Sequence, residues 1–229
     1  MTDPYNQSPV NPLPPAVLAL FLAIAGVELT MWAGAQGLVG GPGAIGWRAT
    51  ALQQYGFNAQ LPGWMLENRV APPEHLIRFI AYPFVHGTFT HAIFAGVLLL
   101  ALGKFVAEVV GQFRVLVLFF LSSLGGALLF SAIGYGQPWL FGAFPGVYGL
   151  IGGFTYVLWL RLGAVGAQQY RAFTMIGVLL GLQLVFGLVF GGSNTWIAEV
   201  GGFVSGFAAS VVIFPGGWAR LRQKLQQRQ

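Results

Sequence analysis

Residues 113–133 read FRVLVLFFLSSLGGALLFSAI, and this stretch decides the class of the protein. It is 21 residues long and has one charged side chain, Arg114, next to its start. About 20 consecutive apolar residues form a helix long enough to cross the hydrocarbon core of a bilayer. The stretch therefore predicts a membrane-spanning helix.

The composition of the whole chain indicates the same class. Of its 229 residues, 56% are hydrophobic and 7% are charged, whereas about 25% of the residues in an ordinary soluble domain are charged. A soluble fold of this size needs a polar shell, and the chain has too few polar residues to make one. Its apolar residues are also grouped in blocks of about 20, so we predict an all-α integral membrane protein.

Six apolar blocks predict six membrane spans. They cover residues 16–32, 79–106, 113–133, 139–160, 173–190 and 196–214. An even number of spans places both termini on one side of the membrane, together with the loops at 104–114 and 161–171. Because eight of the eleven Lys and Arg residues lie on that side, the positive-inside rule predicts cytoplasmic termini.

The chain divides into three predicted segments. Residues 1–15, which contain five prolines, are expected to be a disordered cytoplasmic tail, and residues 16–214 form the six-span domain. Residues 215–229 form a basic cytoplasmic tail, interpreted as a topology anchor near anionic headgroups. The net charge is +5, but the basic residues do not form a stripe interleaved with aromatic residues. Nucleic acid is therefore not an expected partner. The absence of cysteine excludes disulfides, thiolate metal sites and a cysteine nucleophile.

The long segment at residues 35–75 is not plainly aqueous. Aromatic and apolar side chains occur among its polar residues, namely Trp47, Tyr55, Phe57, Trp64 and Met65. Such a mixture is typical of a segment at the headgroup level of a membrane. The alternative is an amphipathic loop that packs on the helices beneath it.

Glycine makes up 34 of the 229 residues, about twice its average frequency. Small residues four positions apart allow helix backbones to approach closely in lipid. We therefore predict close helix packing at a set of glycines within the spans: Gly149, Gly153, Gly177, Gly181, Gly201, Gly202 and Gly206.

Three local patterns follow one another along the chain. They are RFIAYPFVHGTFTH at residues 78–91, GAFPGVYGL at 142–150 and AEVGG at 198–202. Their order and their placement on the second, fourth and sixth spans resemble the rhomboid family of intramembrane proteases. The resemblance implies a six-helix rhomboid-like bundle with the long first loop on the external side. By its compact form, it also implies a bacterial inner-membrane protein.

Rhomboid proteases use a serine nucleophile and a histidine base, with a histidine and an asparagine of the second helix holding the oxyanion. At the corresponding positions this sequence has Phe144 for the serine, Glu199 for the base and Ala95 for the asparagine. Pro145 replaces the glycine after the serine. The second-helix histidine is retained as either His86 or His91, depending on the alignment.

These replacements remove the chemistry that the resemblance implies. Phe144 offers no nucleophile, Ala95 cannot donate to an oxyanion, and Pro145 has no backbone N–H. We therefore expect no peptidase activity. A site rewired around another serine stays open as an alternative.

Three groups of polar residues remain to be interpreted. Glu199 is either a polar anchor facing the former active-site cavity, bonded to His86, His91 or Tyr148, or a glutamate near the interface whose carboxylate lies in water. Glu28 in the first span is interpreted as an interfacial carboxylate. The two histidines are five positions apart, so on one helix they would project about 140° apart and could not share a metal. No metal or cofactor is predicted.

Three functions are considered. The first is an inactive rhomboid-like protein that binds transmembrane segments of other membrane proteins, in quality control, trafficking or assembly. The second is a fixed structural subunit of a larger membrane complex. The third is an intramembrane serine-type peptidase with a rewired site. The expected partners are the lipid bilayer and the transmembrane helices of other proteins.

Overall fold

A computed structural model describes residues 12–134, 138–190 and 194–214 of the chain. The predicted basic tail at 215–229 lies outside the described residues, and so does most of the predicted N-terminal tail. In chain order the helices are α1 (Pro15–Ala35), α2 (Trp47–Tyr55), α3 (Leu61–Asn68), α4 (Pro73–Leu76), α5 (Arg78–Ala81), α6 (Phe89–Val110), α7 (Gln112–Ile133), α8 (Phe144–Ala164), α9 (Thr174–Phe190) and α10 (Trp196–Ile213).

Within the described residues, five helices are long and apolar enough to cross a membrane: α1, α6, α7, α8 and α10. Helix α9 has 17 residues, so it rises about 25 Å and falls at the short end of the spanning range. The architecture is therefore an all-α membrane bundle, as its composition predicts. The count of six spans stays a prediction.

Helix α10 packs in close contact with α7 and α8 along its glycines. A Cβ added to Gly202 would lie 2.8 Å from the carbonyl carbon of Pro145, and one added to Gly206 would lie 2.5 Å from the Cα of Gly149. On the α7 side, a Cβ on Gly201 would meet the Cα of Gly126 at 3.0 Å. Only glycine leaves room for backbones this close, and such packing holds helices together in lipid.

The other predicted packing glycines divide into two groups. Gly149 lies against Ser122 of α7, and Gly153 faces Leu118 of the same helix. A Cβ added to Gly177 or Gly181 of α9, by contrast, would meet no described atom within 4 Å. Among the described residues, therefore, nothing packs closely on these two glycines, unlike the glycines of α8 and α10.

The second long helix begins at Phe89 and not at residue 79. Thr88 is its N-cap and accepts a hydrogen bond from the backbone N–H of His91 at 3.1 Å. The residues before it form α5 and a 3₁₀ turn, Tyr82–Phe84, which ends at the extended residue Val85. At the other end, Gly111 has φ +91 and allows the sharp turn into α7.

A short β-pair joins the first loop to the segment before α8. Strand β1 (Phe57–Asn58) pairs antiparallel with β2 (Trp139–Leu140), with Phe57 opposite Leu140. The fourth long helix consequently begins at Phe144, five residues after the predicted start. Arg78 supports the pair by donating to the carbonyl of Gly56 at 2.9 Å, while its guanidinium lies 5.8 Å from the Trp139 ring.

The aromatic residues of the first loop take two different places. Phe57 is fully buried against the helices, whereas Trp47 and Trp64 are exposed over about two-fifths of their surface, at 36% and 43%. The loop thus packs on the bundle and also presents aromatic surface. Its location at the headgroup level stays a prediction.

Candidate functional site

A cavity of about 300 Å³ opens where α6, α8 and α10 begin. His91, Phe144, Pro145 and Glu199 line it, together with the segment around β2. Four residues singled out from the sequence therefore surround one space, although they belong to three different helices. Ala95 is fully buried one helical turn beyond His91.

Phe144 and His91 are in direct contact at this cavity. Their rings are stacked, with centroids 5.0 Å apart and planes 13° from parallel. The Phe144 ring also meets Tyr148 edge-on at 6.4 Å, one turn further along α8. The first side chain of α8 is therefore an apolar group lying flat on the imidazole.

The loop before α8 approaches both histidines because residue 142 is glycine. Gly142 has φ +96, which L side chains rarely adopt, and a Cβ there would lie 2.6 Å from the Cε1 of His91. The next residue, Ala143, donates its backbone N–H to the Nε2 of His86 at 3.2 Å. His86 thereby fixes the loop that leads into α8.

His86 is fully buried and is not among the residues that line the cavity. Burial lowers its pKa to about 3, and the neighbouring His91 and Arg48 lower it as well. Its imidazole is therefore neutral at physiological pH, as an acceptor at Nε2 requires. Of the two histidines, His91 faces the cavity.

The two imidazoles do not project in opposite directions. Their rings lie edge to face with centroids 5.1 Å apart. The expected angle of 140° assumes one continuous helix, but α6 begins only at Phe89, so His86 lies on the preceding loop. Among the described residues, no three His, Asp or Glu side chains are grouped as a metal site.

Glu199 is a buried member of the site. Only 6% of its surface is exposed, so the interpretation that its carboxylate lies in external water is wrong. It accepts a hydrogen bond from the Nε2 of Gln183 on α9, and the hydroxyl of Tyr148 on α8 lies near enough to interact with the same carboxylate. The carboxylate thus ties α9 to α10 beside α8.

Gln183 is a site residue that the sequence interpretation missed. It lies 16 positions before Glu199 in the chain. The available signal is its isolation, because α9 contains no polar side chains other than Thr174 and Gln183. An amide within an apolar span needs a hydrogen-bond partner, and Glu199 provides it.

Glu28 is also buried, with 3% of its surface exposed. Arg48 of α2 reaches back from the first loop and binds both carboxylate oxygens of Glu28. The same guanidinium donates to the backbone carbonyl of His86 at 2.7 Å. Glu28 therefore belongs to an ion pair with the partly exposed Arg48, and this pair supports the loop that carries His86. Its position at the membrane interface stays a prediction.

Three serines direct their hydroxyls to backbone carbonyls, whereas the hydroxyl of the buried Ser122 has no hydrogen-bond partner among the described residues. Ser123 donates to the carbonyl of Phe119 at 2.9 Å, and Ser210 donates to that of Gly206 at 2.7 Å. Ser131 binds the carbonyl of Ala59. Ser122 lies against Gly149. None of these contacts is with a histidine.

Comparisons with known proteins agree with this arrangement. The family model described as the Rhomboid domain matches residues 73–216. The chain is also similar to Rhomboid-like protease 3 of Toxoplasma gondii, with 28% identity over 138 residues. The matched part is 58% of this chain and 50% of the relative, so the chain spans about half the length of that protein.

Proposed function

The chain belongs to the rhomboid family, and we propose that it is a member without peptidase activity that binds transmembrane segments of other membrane proteins. The contact between Phe144 and His91 is the observation that carries the proposal. At the position of the family's serine, a phenylalanine ring lies flat on the remaining histidine of the cavity. This arrangement offers no hydroxyl to attack a peptide carbonyl.

The second reason concerns the base. Glu199 stands at the position of the family's histidine, and its carboxylate already accepts a hydrogen bond from Gln183. Pro145, just after Phe144, removes a backbone N–H from the place where an oxyanion would bind. Nucleophile, base and one stabilising donor are thus replaced together, and losing one such group already removes most of the rate enhancement.

The binding half of the proposal rests on what the site retains. The cavity is still open beside Glu199 and His91, and a buried polar group inside a membrane bundle is costly to keep. A site that had lost both catalysis and binding would be free to fill with apolar side chains. We therefore propose that the cavity receives part of a client's transmembrane segment.

The multi-pass membrane location is part of the family assignment. The proposal adds that both termini are cytoplasmic and that the membrane is a bacterial inner membrane. These additions rest on the distribution of Lys and Arg and on the compact form of the chain.

The experiment that tests the proposal places a photoreactive amino acid at Thr195, which lines the cavity. The matched control carries it at Leu22 of α1, an exposed apolar residue on a different helix. Cross-linking in native membranes, followed by gentle-detergent purification and mass spectrometry, identifies the partners. We expect several substoichiometric membrane proteins at Thr195 and not at Leu22.

Other outcomes separate the alternatives. One partner at fixed stoichiometry from Thr195 would favour a structural subunit of a larger complex. Partners cleaved within their membrane segments would favour a peptidase with a rewired site. Identical products from both positions would contradict client binding in the cavity.

A further inference from the structure

The Glu199 carboxylate has hydrogen-bonding capacity that the described contacts do not use. The two oxygens of a carboxyl group offer several acceptor sites, and the Gln183 amide is the donor that the described hydrogen bonds place there. Next to it, the Oε1 of Gln183 is buried and has no hydrogen-bond partner within the part of the chain that the structure describes. A buried acceptor without a donor costs free energy, so this corner of the bundle favours an additional donor.

One face of α9 makes no contact with the described residues. A Cβ added to Gly177 or Gly181 would meet no described atom within 4 Å, and Val178 and Leu182 are more than half exposed. The apolar contact of α9 with the bundle is made around Ile176, which packs with Tyr148 and Ile151 of α8. Gln183 lies two turns further along the helix, so its bond to Glu199 ties this end of α9 to α10.

Glu199 also lines the cavity. Its carboxylate can therefore bind either Gln183 or a group of a molecule that enters the cavity. A helix that approaches from the α9 side with a purely apolar surface would have to break the Gln183 bond without replacing it. A helix with an amide or hydroxyl donor at the same depth could replace that bond and also satisfy the free Oε1. Interhelical hydrogen bonds of this kind contribute to helix association in membranes.

We propose that Glu199 recognises a hydrogen-bond donor on a client's membrane helix and that the Gln183 amide occupies this position when no client is bound. The inference rests on the proposed function, because it specifies which membrane helices the cavity selects. The preferred client carries Asn, Gln, Ser or Thr within its apolar span. Gln183 is then an internal competitor.

The test uses two synthetic 20-residue Leu/Ala transmembrane peptides that share a photoreactive residue. One has a single Asn, scanned through the central turns, and the other has Leu at that position. Both are reconstituted with the purified full-length protein in nanodiscs, and cross-linked product is quantified. We expect about tenfold more product for the Asn peptide at its best depth, since one membrane hydrogen bond has about that effect.

Variants assign the effect to the two residues. Glu199→Met has a similar length but no carboxylate oxygens, and its thioether is only a weak acceptor. We expect it to reduce cross-linking of the Asn peptide to the level of the Leu peptide. Gln183→Leu removes the competitor, and we expect it to increase cross-linking of the Asn peptide severalfold. Thr155→Val is the control, because Thr155 is a buried polar residue of α8 that does not line the cavity.

The outcomes separate this inference from the proposed function. Equal cross-linking of both peptides in the cavity would overturn donor recognition and leave client binding intact. No cross-linking of either peptide would overturn both. A preference for Asn that persists in Glu199→Met would also overturn the inference. If that variant does not fold, unchanged or reduced cross-linking in Gln183→Leu would be decisive against it.

Discussion

The ring of Phe144 stacks on the imidazole of His91 at a centroid distance of 5.0 Å, at the N-terminus of α8. Phe144 stands at the position of the family's serine nucleophile, and its apolar ring covers the histidine that lines the cavity. If the chain is inactive as proposed, restoring one catalytic group is not expected to restore the reaction. A serine at position 144 would lie beside His91, but the position of the family's general base is occupied by Glu199 and not by a histidine.

We therefore expect Phe144→Ser to show no cleavage of a helix-destabilised transmembrane substrate, as for the native chain. The combined variant Phe144→Ser, Pro145→Gly, Glu199→His supplies nucleophile, backbone donor and base, and we expect cleavage above background. A gel-based assay in detergent measures both, with Phe144→Ala as the control for opening the cavity. Cleavage by the native chain or by Phe144→Ser alone would contradict this account.

The ion pair between the buried Glu28 and the partly exposed Arg48 gives a second prediction. Replacing Glu28 with Leu removes the anionic partner of the guanidinium, and because 23% of the Arg48 side chain is exposed, we expect a loss of stability below the roughly 3–5 kcal/mol typical of a fully buried pair. We expect the double variant Glu28→Leu, Arg48→Leu to be less destabilised than Glu28→Leu, because no buried charge is left unpaired. Thermal unfolding in detergent measures both.

Two results would be informative in that comparison. If the loss of stability in the double variant equals the sum of the losses in the two single variants, the two side chains act independently. Variants of Arg48 are expected to lose additional stability, because Arg48 also donates to the His86 carbonyl. Arg48→Lys should show part of this loss of stability, since lysine cannot bind in the same forked geometry.

The neutral, buried His86 gives a pH dependence with a defined sign. Its pKa is about 3 in the folded protein and 6.5 for an ordinary histidine. Between these values the unfolded chain binds more protons, so stability falls as pH falls from 6.5 towards 3, by up to about 1.4 kcal/mol per pH unit. Above pH 6.5 this contribution is constant.

The measurement is the unfolding midpoint in detergent as a function of pH. We expect His86→Gln to flatten the decline below pH 6.5, because the amide oxygen can still accept from Ala143 and does not titrate. His75→Gln is the matched control, since His75 lies on α4 and packs against Trp64. An unchanged slope in His86→Gln would assign the decline to other groups.

The fold and half of the site could be predicted because they depend on local patterns. Apolar blocks of bilayer length specify α7 and its neighbours, and motif order brings His91, Phe144 and Glu199 to one cavity. The family match and the apolar helices confirm the rhomboid-like membrane bundle.

The side-chain partners within the site could not be predicted, because they depend on contacts between residues far apart in the chain. The partner of Glu28 is 20 positions away on a loop helix, and the partner of Glu199 is an amide on α9. Nothing in the local sequence orients these side chains towards each other. The histidine geometry was missed for a related reason: the N-cap at Thr88 ends the loop that carries His86, and a boundary of this kind shifts by several residues in sequence interpretation.

The topology prediction can be tested cleanly because the native chain has no cysteine. Single cysteines at Ser8, Glu67 and Gln226 would report the N-terminus, the first loop and the C-terminus. We expect a membrane-impermeant maleimide to label Glu67→Cys in intact cells and to label the terminal positions only after permeabilisation. Termini on opposite sides would contradict six spans and exclude α9 as a membrane-crossing helix.

The glycines of α10 give the final prediction, with a control in the same chain. Gly202→Ala places a Cβ 2.8 Å from the Pro145 carbonyl carbon, so α8 and α10 must separate, and overpacking of this kind costs about 1–3 kcal/mol. Gly177→Ala makes the same chemical change on α9, where no described atom lies within 4 Å. There alanine should be neutral or stabilise the helix by up to about 1 kcal/mol. Thermal unfolding of the two variants measures the difference, and equal effects would show that backbone contact between α8 and α10 does not hold the bundle together.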